Sequence, residues 1–318
     1  MLSALAVVLP SHAVVGTTES SLALVLLEDA LQNAQFAQSN PSQSGPHLSY
    51  LPKARQNYIG GNEDSPGPTS PLQFYAPKSY FSKKCSSLAV LDVSFCDATS
   101  TVFAAAGSTV LTWDVIKAQR TAVSRPSAPD LAAACAWLSP HCAVSAGAAC
   151  AVSFWDTRAG ARAVHLAKVA RDNLYALGAA ENGIYAGGAD GKVQFVDLRN
   201  EVHEELDFGR HGAVVGMDTE ELAVVFEDGA VRMAANGARE ASFCSEAVAA
   251  KSRVGCALLE GTVAVGSENG VVRLWKGDNL KEIDVQLAVS CLEFWDDDLV
   301  GTAGECLWRW SQAGRGET

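Results

Sequence analysis

The sequence lacks most of what announces a secreted protein, a membrane span or a familiar enzyme. Its nine cysteines are an odd number and no two stand in C-x-x-C spacing. Neither a disulfide framework nor a structural zinc site is expected, and free thiols in a reducing compartment are. No Lys or Arg precedes Lys53. The apolar start, MLSALAVVL, therefore lacks the positive region of a secretory signal, although Ser11-His12-Ala13 could pass for a cleavage site. No apolar run reaches 18 residues, so no spanning helix is expected. There is no Gly-x-Ser-x-Gly elbow. VHEEL at 202–206 starts like a zinc-protease helix, but Asp207 stands where the second His is needed. GADGKV at 188–193 has the glycines and lysine of a phosphate loop but not their spacing, and a Val follows the Lys. Charge is scarce and lopsided: 19% of residues are charged, with 36 acids against 24 Lys and Arg, a net −12. Such a chain is repelled by nucleic-acid backbones and anionic lipid, and a charged partner is expected to be basic.

What the sequence does have is a repeat. FAAAGSTVLTWDV, AVSAGAACAVSFWDT, IYAGGADGKVQFVDL, LAVVFEDGAVRMAA, VAVGSENGVVRLWK and LVGTAGECLWRWS share one pattern. Each is an apolar run, a turn of small, polar or Gly residues, and a second run with an aromatic or apolar end. Trp113, Trp155, Val196, Ala234, Trp275 and Trp310 occupy one slot, at spacings of 42, 41, 38, 41 and 35. A period near 40 marks four short strands per unit. Within the second run, Val152, Val193, Val231 and Val272 lie two before Phe154, Phe195, Met233 and Leu274. That alternation is a strand with one wetter face. Asp190-Gly191, Asp228-Gly229 and Asn269-Gly270 are tight-hairpin dipeptides. GADGKV therefore reads as a hairpin. An apolar run about ten residues ahead of each unit supplies an innermost strand.

TWD at 112–114, FWDTR at 154–158, FVDLR at 195–199 and LWK at 274–276, each after a small or Gly-bearing turn, resemble the WD-repeat β-propeller family over about 86–313. With residues 1–29 as a divergent further unit, the resemblance implies an all-β fold: a seven-bladed propeller of four-stranded antiparallel blades, one domain over 1–318. The family's Gly-His dipeptide is missing, and only His211 sits where a blade's structural His would be. The family's His–Ser/Thr–Asp–Trp hydrogen-bond network is therefore incomplete in most blades. Stability then rests on packing between blades. Two features bear on ring closure: residues 2–9 as the fourth strand of the last blade, and PLQFYAP at 71–77 as the outer strand of the first.

Residues 30–85 interrupt the rhythm, within or after the first blade. Seven of the eleven prolines fall between 41 and 77, among Gln, Asn and Ser. Such a composition favours a solvated loop. Its aromatics, Tyr50, Tyr58, Phe74, Tyr75, Tyr80 and Phe81, also suit a docking segment.

No catalytic, cofactor or metal site emerges. His203 and His211 are expected on a loop between blades, and the acid runs DTEEL (218–222) and WDDDL (295–299) in turns. The resemblance implies a non-enzymatic protein–protein interaction scaffold, a subunit of a multiprotein complex in cytoplasm or nucleus. The W-D-x-R of FWDTR resembles the box by which substrate receptors dock on the adaptor of cullin-4 ubiquitin ligases. It makes Trp155, Asp156 and Arg158 candidate partner-binding residues, with Asp197 and Arg199 repeating the pattern without the Trp. The same pattern also arises from local blade packing. Other readings are an acidic propeller gripping basic, histone-like peptides, an architectural blade set such as those of pore or coat scaffolds, and a propeller hydrolase. Direct contact with nucleic acid and membrane insertion are not expected.

Overall fold

The computed structural model describes residues 2–9, 12–17, 21–26, 72–75, 79–84 and 89–311, apart from 118, 125–131, 160–161, 200–201, 207, 210–211, 220–221, 235–242, 247–253, 277–278, 296–297 and 305. The short apolar runs and tight turns fold as the repeat predicts, into seven antiparallel four-stranded sheets. In each, strands a to d run outward from the centre. Blade 2 is Asp92–Cys96, Thr101–Ala106, Thr109–Asp114 and Gln119–Ser124. Blade 3 is Ala132–Ser139, Cys142–Gly147, Ala151–Asp156 and His165–Lys168. Blade 4 is Leu174–Ala180, Gly183–Gly188, Val193–Asp197 and Val202–Leu206. Blade 5 is Val214–Asp218, Ala223–Phe226, Ala230–Met233 and Phe243–Glu246. Blade 6 is Cys256–Leu259, Thr262–Val265, Val271–Lys276 and Asn279–Asp284.

Blades 1 and 7 close the ring. Blade 1 takes strands a to c from Leu2–Leu9, His12–Thr17 and Ser21–Leu26, and strand d from Ser79–Lys84. Blade 7 takes a to c from Val289–Trp295, Asp298–Ala303 and Cys306–Trp310, and d from Leu72–Tyr75. The chain thus leaves blade 1, adds an edge to blade 7 and returns to finish blade 1. Trp308 pairs with Phe74 and Ala23 with Ser82. The apolar start is the innermost strand of blade 1, not the fourth strand of the last blade. LQFY serves blade 7, not blade 1. Each a strand contacts the next around the ring, and that of blade 7 contacts that of blade 1.

The core lies between blades because every sheet has two faces to cover. Phe103, Ala105 and Val110 of blade 2 bury against Cys135, Ala143 and Trp155 of blade 3. Val144, Val152 and Phe154 of blade 3 face Leu174, Ile184 and Val196 of blade 4. All six residues of the Trp slot are buried. Where the slot holds Ala234, other aromatics gather at the boundary of blades 4 and 5. Tyr185 lies 4.8 Å from Phe195, and Phe208 lies 6.1 Å from Phe226, between ring centroids. Polar stitches cross between blades as well. The Asp92 carboxylate accepts the Cys135 backbone N–H at 2.7 Å, and Trp137 Nε1 donates to the Ser94 carbonyl at 3.1 Å. Asp218 accepts the Leu258 N–H at 3.0 Å, and the Thr219 hydroxyl donates to the Ala179 carbonyl at 2.7 Å.

GADGKV is the hairpin between strands b and c of blade 4. Gly191 has φ +74°, which an L side chain reaches only with strain. The Asp190 carboxylate accepts the Lys192 N–H at 3.2 Å, and the Lys192 ammonium is bonded to Glu205 on strand d. VHEEL is likewise a strand. His203 is exposed on the outer edge of blade 4 rather than in a loop, and His211 lies outside the described residues.

Candidate interaction face

Strands a and c of every blade run the same way, so the a–b turns and c–d loops gather on one face of the ring. The b–c turns and d–a links gather on the other. The five predicted site residues belong to the first face, at the ends of the c strands of blades 3 and 4.

Trp155 does not reach that surface. It is 3% exposed, packs against blade 2, and donates its indole N–H to the Ser145 hydroxyl at 2.9 Å. Its role is to fill the blade, and the Ser145–Trp155 bond is a short polar link of the kind the family network implies.

Asp156 is where the strand stops. Its carboxylate accepts the Arg158 backbone N–H at 2.9 Å, Nε at 3.0 Å and Nη2 at 2.8 Å. Blade 4 repeats the clasp: Asp197 accepts from Arg199 N at 2.9 Å, Nε at 3.1 Å and Nη2 at 2.7 Å. Blade 2 uses Lys instead. Asp114 accepts the Lys117 N–H at 2.9 Å and its ammonium at 2.7 Å. An Asp satisfies the first free N–H of the turn, and the long cation folds back because its charge is opposite. The Arg158 hydrogen bonds hold the Asp156 carboxyl down at about 2, helped by the nearby His141. Asp197 and Asp114 are lowered for the same reason by Arg199 and Lys117.

The clasp fixes each guanidinium without consuming it. The Asp takes the side edge, Nε and Nη2, and leaves the end edge, Nη1 and Nη2, pointing outward. The side chains of Arg158 and Arg199 remain 67% and 66% exposed. Each can receive a second carboxylate or a carbonyl pair on a pre-set fork. Two aliphatic residues are exposed in c–d loops of the same face: Ile116, in the blade 2 position that corresponds to Arg158, is 77% exposed, and Leu198 is 41% exposed. The sequence shows the D-x-R spacing, but the exposure of Ile116 has no local signature and only the turn geometry reveals it.

The opposite face has another character. Asp172, Asp190, Glu227, Asp228, Glu268 and Asp284 lie on it, exposed or half-buried, with Lys168, Arg171 and Lys192 among the nearby cations. Among the described residues no group of three or more His, Cys, Asp or Glu is arranged to hold a metal ion. No described helix is long and apolar enough to cross a membrane.

Solved structures share this arrangement. A structure of U3-55K superposes with a TM-score of 0.70 at 15% identity, covering 97% of this chain and 94% of that one. The WD40 repeats of RRP9 superpose with a TM-score of 0.69 at 16% identity, covering 97% and 93%. The fold is that of the WD40-repeat propellers. No protein-family model and no curated protein matches the sequence itself. The ring departs from the WD40 pattern where the sequence indicates: the Trp slot holds Val196 and Ala234, and Asp92, Trp137, Asp218 and Thr219 are among the side chains that make polar links between blades.

Proposed function

We propose that the protein is a non-enzymatic interaction scaffold, a subunit of a multiprotein complex, and that the face of blades 2, 3 and 4 is its docking surface. The observation that carries this reading is the pair of clasped, exposed arginines on the face that also exposes Ile116. Arginine held in place and flanked by exposed aliphatics is what a protein interface selects, because little side-chain entropy remains to be lost on binding. A stiff ring serves such a surface well, since loops on a rigid frame keep their spacing.

The shifted groups support a role without catalysis. A general acid or base needs a carboxyl raised toward neutrality, and a nucleophilic thiol needs its value lowered. Among the described residues the shifted carboxyls and thiols run the other way. Asp114, Asp156, Asp197 and Glu205 are lowered by neighbouring cations, and burial raises the thiols of Cys142 and Cys256.

Within this reading, the Trp155-Asp156-x-Arg158 box makes the adaptor of cullin-4 ligases a specific partner, with Arg158 as the contact and Trp155 holding the strand behind it. Affinity purification with quantitative mass spectrometry tests both levels. A stable partner set lost on Arg158→Glu with Arg199→Glu supports the docking face, and the adaptor in that set supports the receptor reading. A partner set indifferent to both changes overturns the face. The acidic opposite face favours a second reading, capture of basic histone-like tails. Saturable, salt-sensitive binding of a Lys-rich tail peptide, weakened by Glu227→Gln with Asp228→Asn, supports it, and its absence removes it.

A further inference from the structure

The outer edge of blade 3 runs against the charge of the whole chain. From Thr157 to Arg171 the sequence is TRAGARAVHLAKVAR, with no acid, in a protein of net charge −12. Its strand, His165–Lys168, is the last of its sheet, so among the described residues the outward backbone groups of every second residue have no further strand to meet. Arg162, just ahead of it, and His165 and Lys168 within it are exposed. Arg171, beyond its end, lies close enough to Glu205 of blade 4 to lower that acid. Two aliphatic side chains are exposed on the same segment, Val164 at 56% and Leu166 at 48%. Within the strand, alternation puts Leu166 and Lys168 on one face, and Val164 precedes them in a bend. Leu166 lies opposite Ser153, and His165 lies opposite Phe154 with ring centroids 5.5 Å apart on the other face. The outer strands of blades 4 and 6 differ, carrying Glu204 and Glu205 or Glu282 and Asp284. Cations guarding an edge against aggregation account for Lys168 alone. They do not account for Val164 and Leu166 standing exposed between the charges.

We infer that this edge is a docking site for an acidic, extended peptide segment that adds to blade 3 as a fifth strand. Backbone pairing along His165–Lys168 supplies the register, Leu166 receives an apolar residue and Lys168 a carboxylate two positions along on the same face, and Val164 and Arg162 add an apolar contact and a charge just ahead of the strand. The site lies on the rim and adjoins the clasp face, because Arg162 and Val164 belong to the c–d loop that also carries Arg158.

The probe is a short capped peptide alternating threonine with glutamate or valine, Glu-Thr-Val-Thr-Val-Thr-Glu, which puts its valines and glutamates on one face, labelled for fluorescence anisotropy and titrated with the intact protein at low salt. Saturable binding is expected, weakened at least about tenfold by Arg162→Glu with Lys168→Glu. Amide exchange at 165–168 is expected to slow when the peptide binds. The same peptide with alternate amides N-methylated is expected to bind at least about tenfold more weakly, because it cannot pair with the edge. Leu166→Ser is a second variant that keeps every charge and is read in the same way if the double variant does not fold. The inference is overturned by no saturable binding, or by binding indifferent to these variants. It is equally overturned if polyglutamate or the N-methylated peptide binds as well as the alternating one, or if a DNA duplex or phosphatidylserine vesicles bind more tightly than the peptide.

Discussion

Asp92→Ala removes a carboxylate that holds two blades together. Asp92 begins the innermost strand of blade 2 and is 9% exposed. One oxygen accepts the Val93 N–H at 3.0 Å, and the other accepts the Cys135 N–H, on the innermost strand of blade 3, at 2.7 Å. Cys135 is 4% exposed, so water does not readily replace the lost acceptor. A hydrogen bond to a charged group contributes about 1.5–3 kcal/mol, and a buried N–H left without a partner costs about 1–3 kcal/mol. These are two descriptions of one loss and are not added, so the expected destabilisation is about 2–3 kcal/mol. Asp92→Asn keeps an acceptor of the same shape but not its charge, and is expected to cost about 1 kcal/mol. Urea denaturation followed by tryptophan fluorescence checks both, with the midpoint falling and the slope unchanged. A loss below about 0.5 kcal/mol for Asp92→Ala would mean that the stitch carries no weight and that packing alone joins these blades.

Other positions give further tests. A Cβ on Gly301 would lie 2.4 Å from Cζ2 of the fully buried Trp308 and 2.9 Å from the Cys291 carbonyl. Gly301→Ala should therefore cost about 1–3 kcal/mol, with a changed near-UV signal. Cys150 sits at φ +58° in the turn position that Gly191 fills in blade 4, so Cys150→Gly should stabilise the protein by about 0.5–1 kcal/mol in the same urea assay. Asp156 is depressed to about 2, first by the Arg158 side-chain hydrogen bonds. Its contribution to stability is present above the unfolded value of about 3.9 and is lost as pH falls toward 2. NMR titration of its carboxyl should move up to the ordinary range in Arg158→Ala, and an unmoved midpoint would mean that the clasp does not form in solution.

The repeat was legible in the sequence because it is written twice, in the Trp slot and in the turn dipeptides. The degenerate units could still be counted: Ala234 keeps its place in register although it has lost its ring. Ring closure was not legible. Leu72–Tyr75 and Ser79–Lys84 are short and adjacent, each carries a Phe and a Tyr, and each needs only an open edge. Which edge each one meets depends on where two blades remote in sequence come to lie. The D-x-R spacing marked the clasps, but the sequence did not separate the Trp, which points into the blade, from the Arg, which points out. The basic edge of blade 3 was hidden for a different reason. A net charge of −12 describes the whole chain, while an acid-free stretch from Thr157 to Arg171 acts only over about a Debye length.

Cross-linking across blade 7 tests the closed ring most directly. Gln73 and Arg309 are register partners on strands d and c of blade 7, as Ala23 and Ser82 are on strands c and d of blade 1. Opposed residues in antiparallel strands lie about 4.5–5.5 Å apart at Cα, within disulfide reach. Oxidation of Gln73→Cys with Arg309→Cys should give a 73–309 disulfide by peptide mapping, and Ala23→Cys with Ser82→Cys a 23–82 disulfide. A 23–82 bond in a folded protein that never forms the 73–309 bond would contradict the closure, because strand 72–75 would then not belong to blade 7.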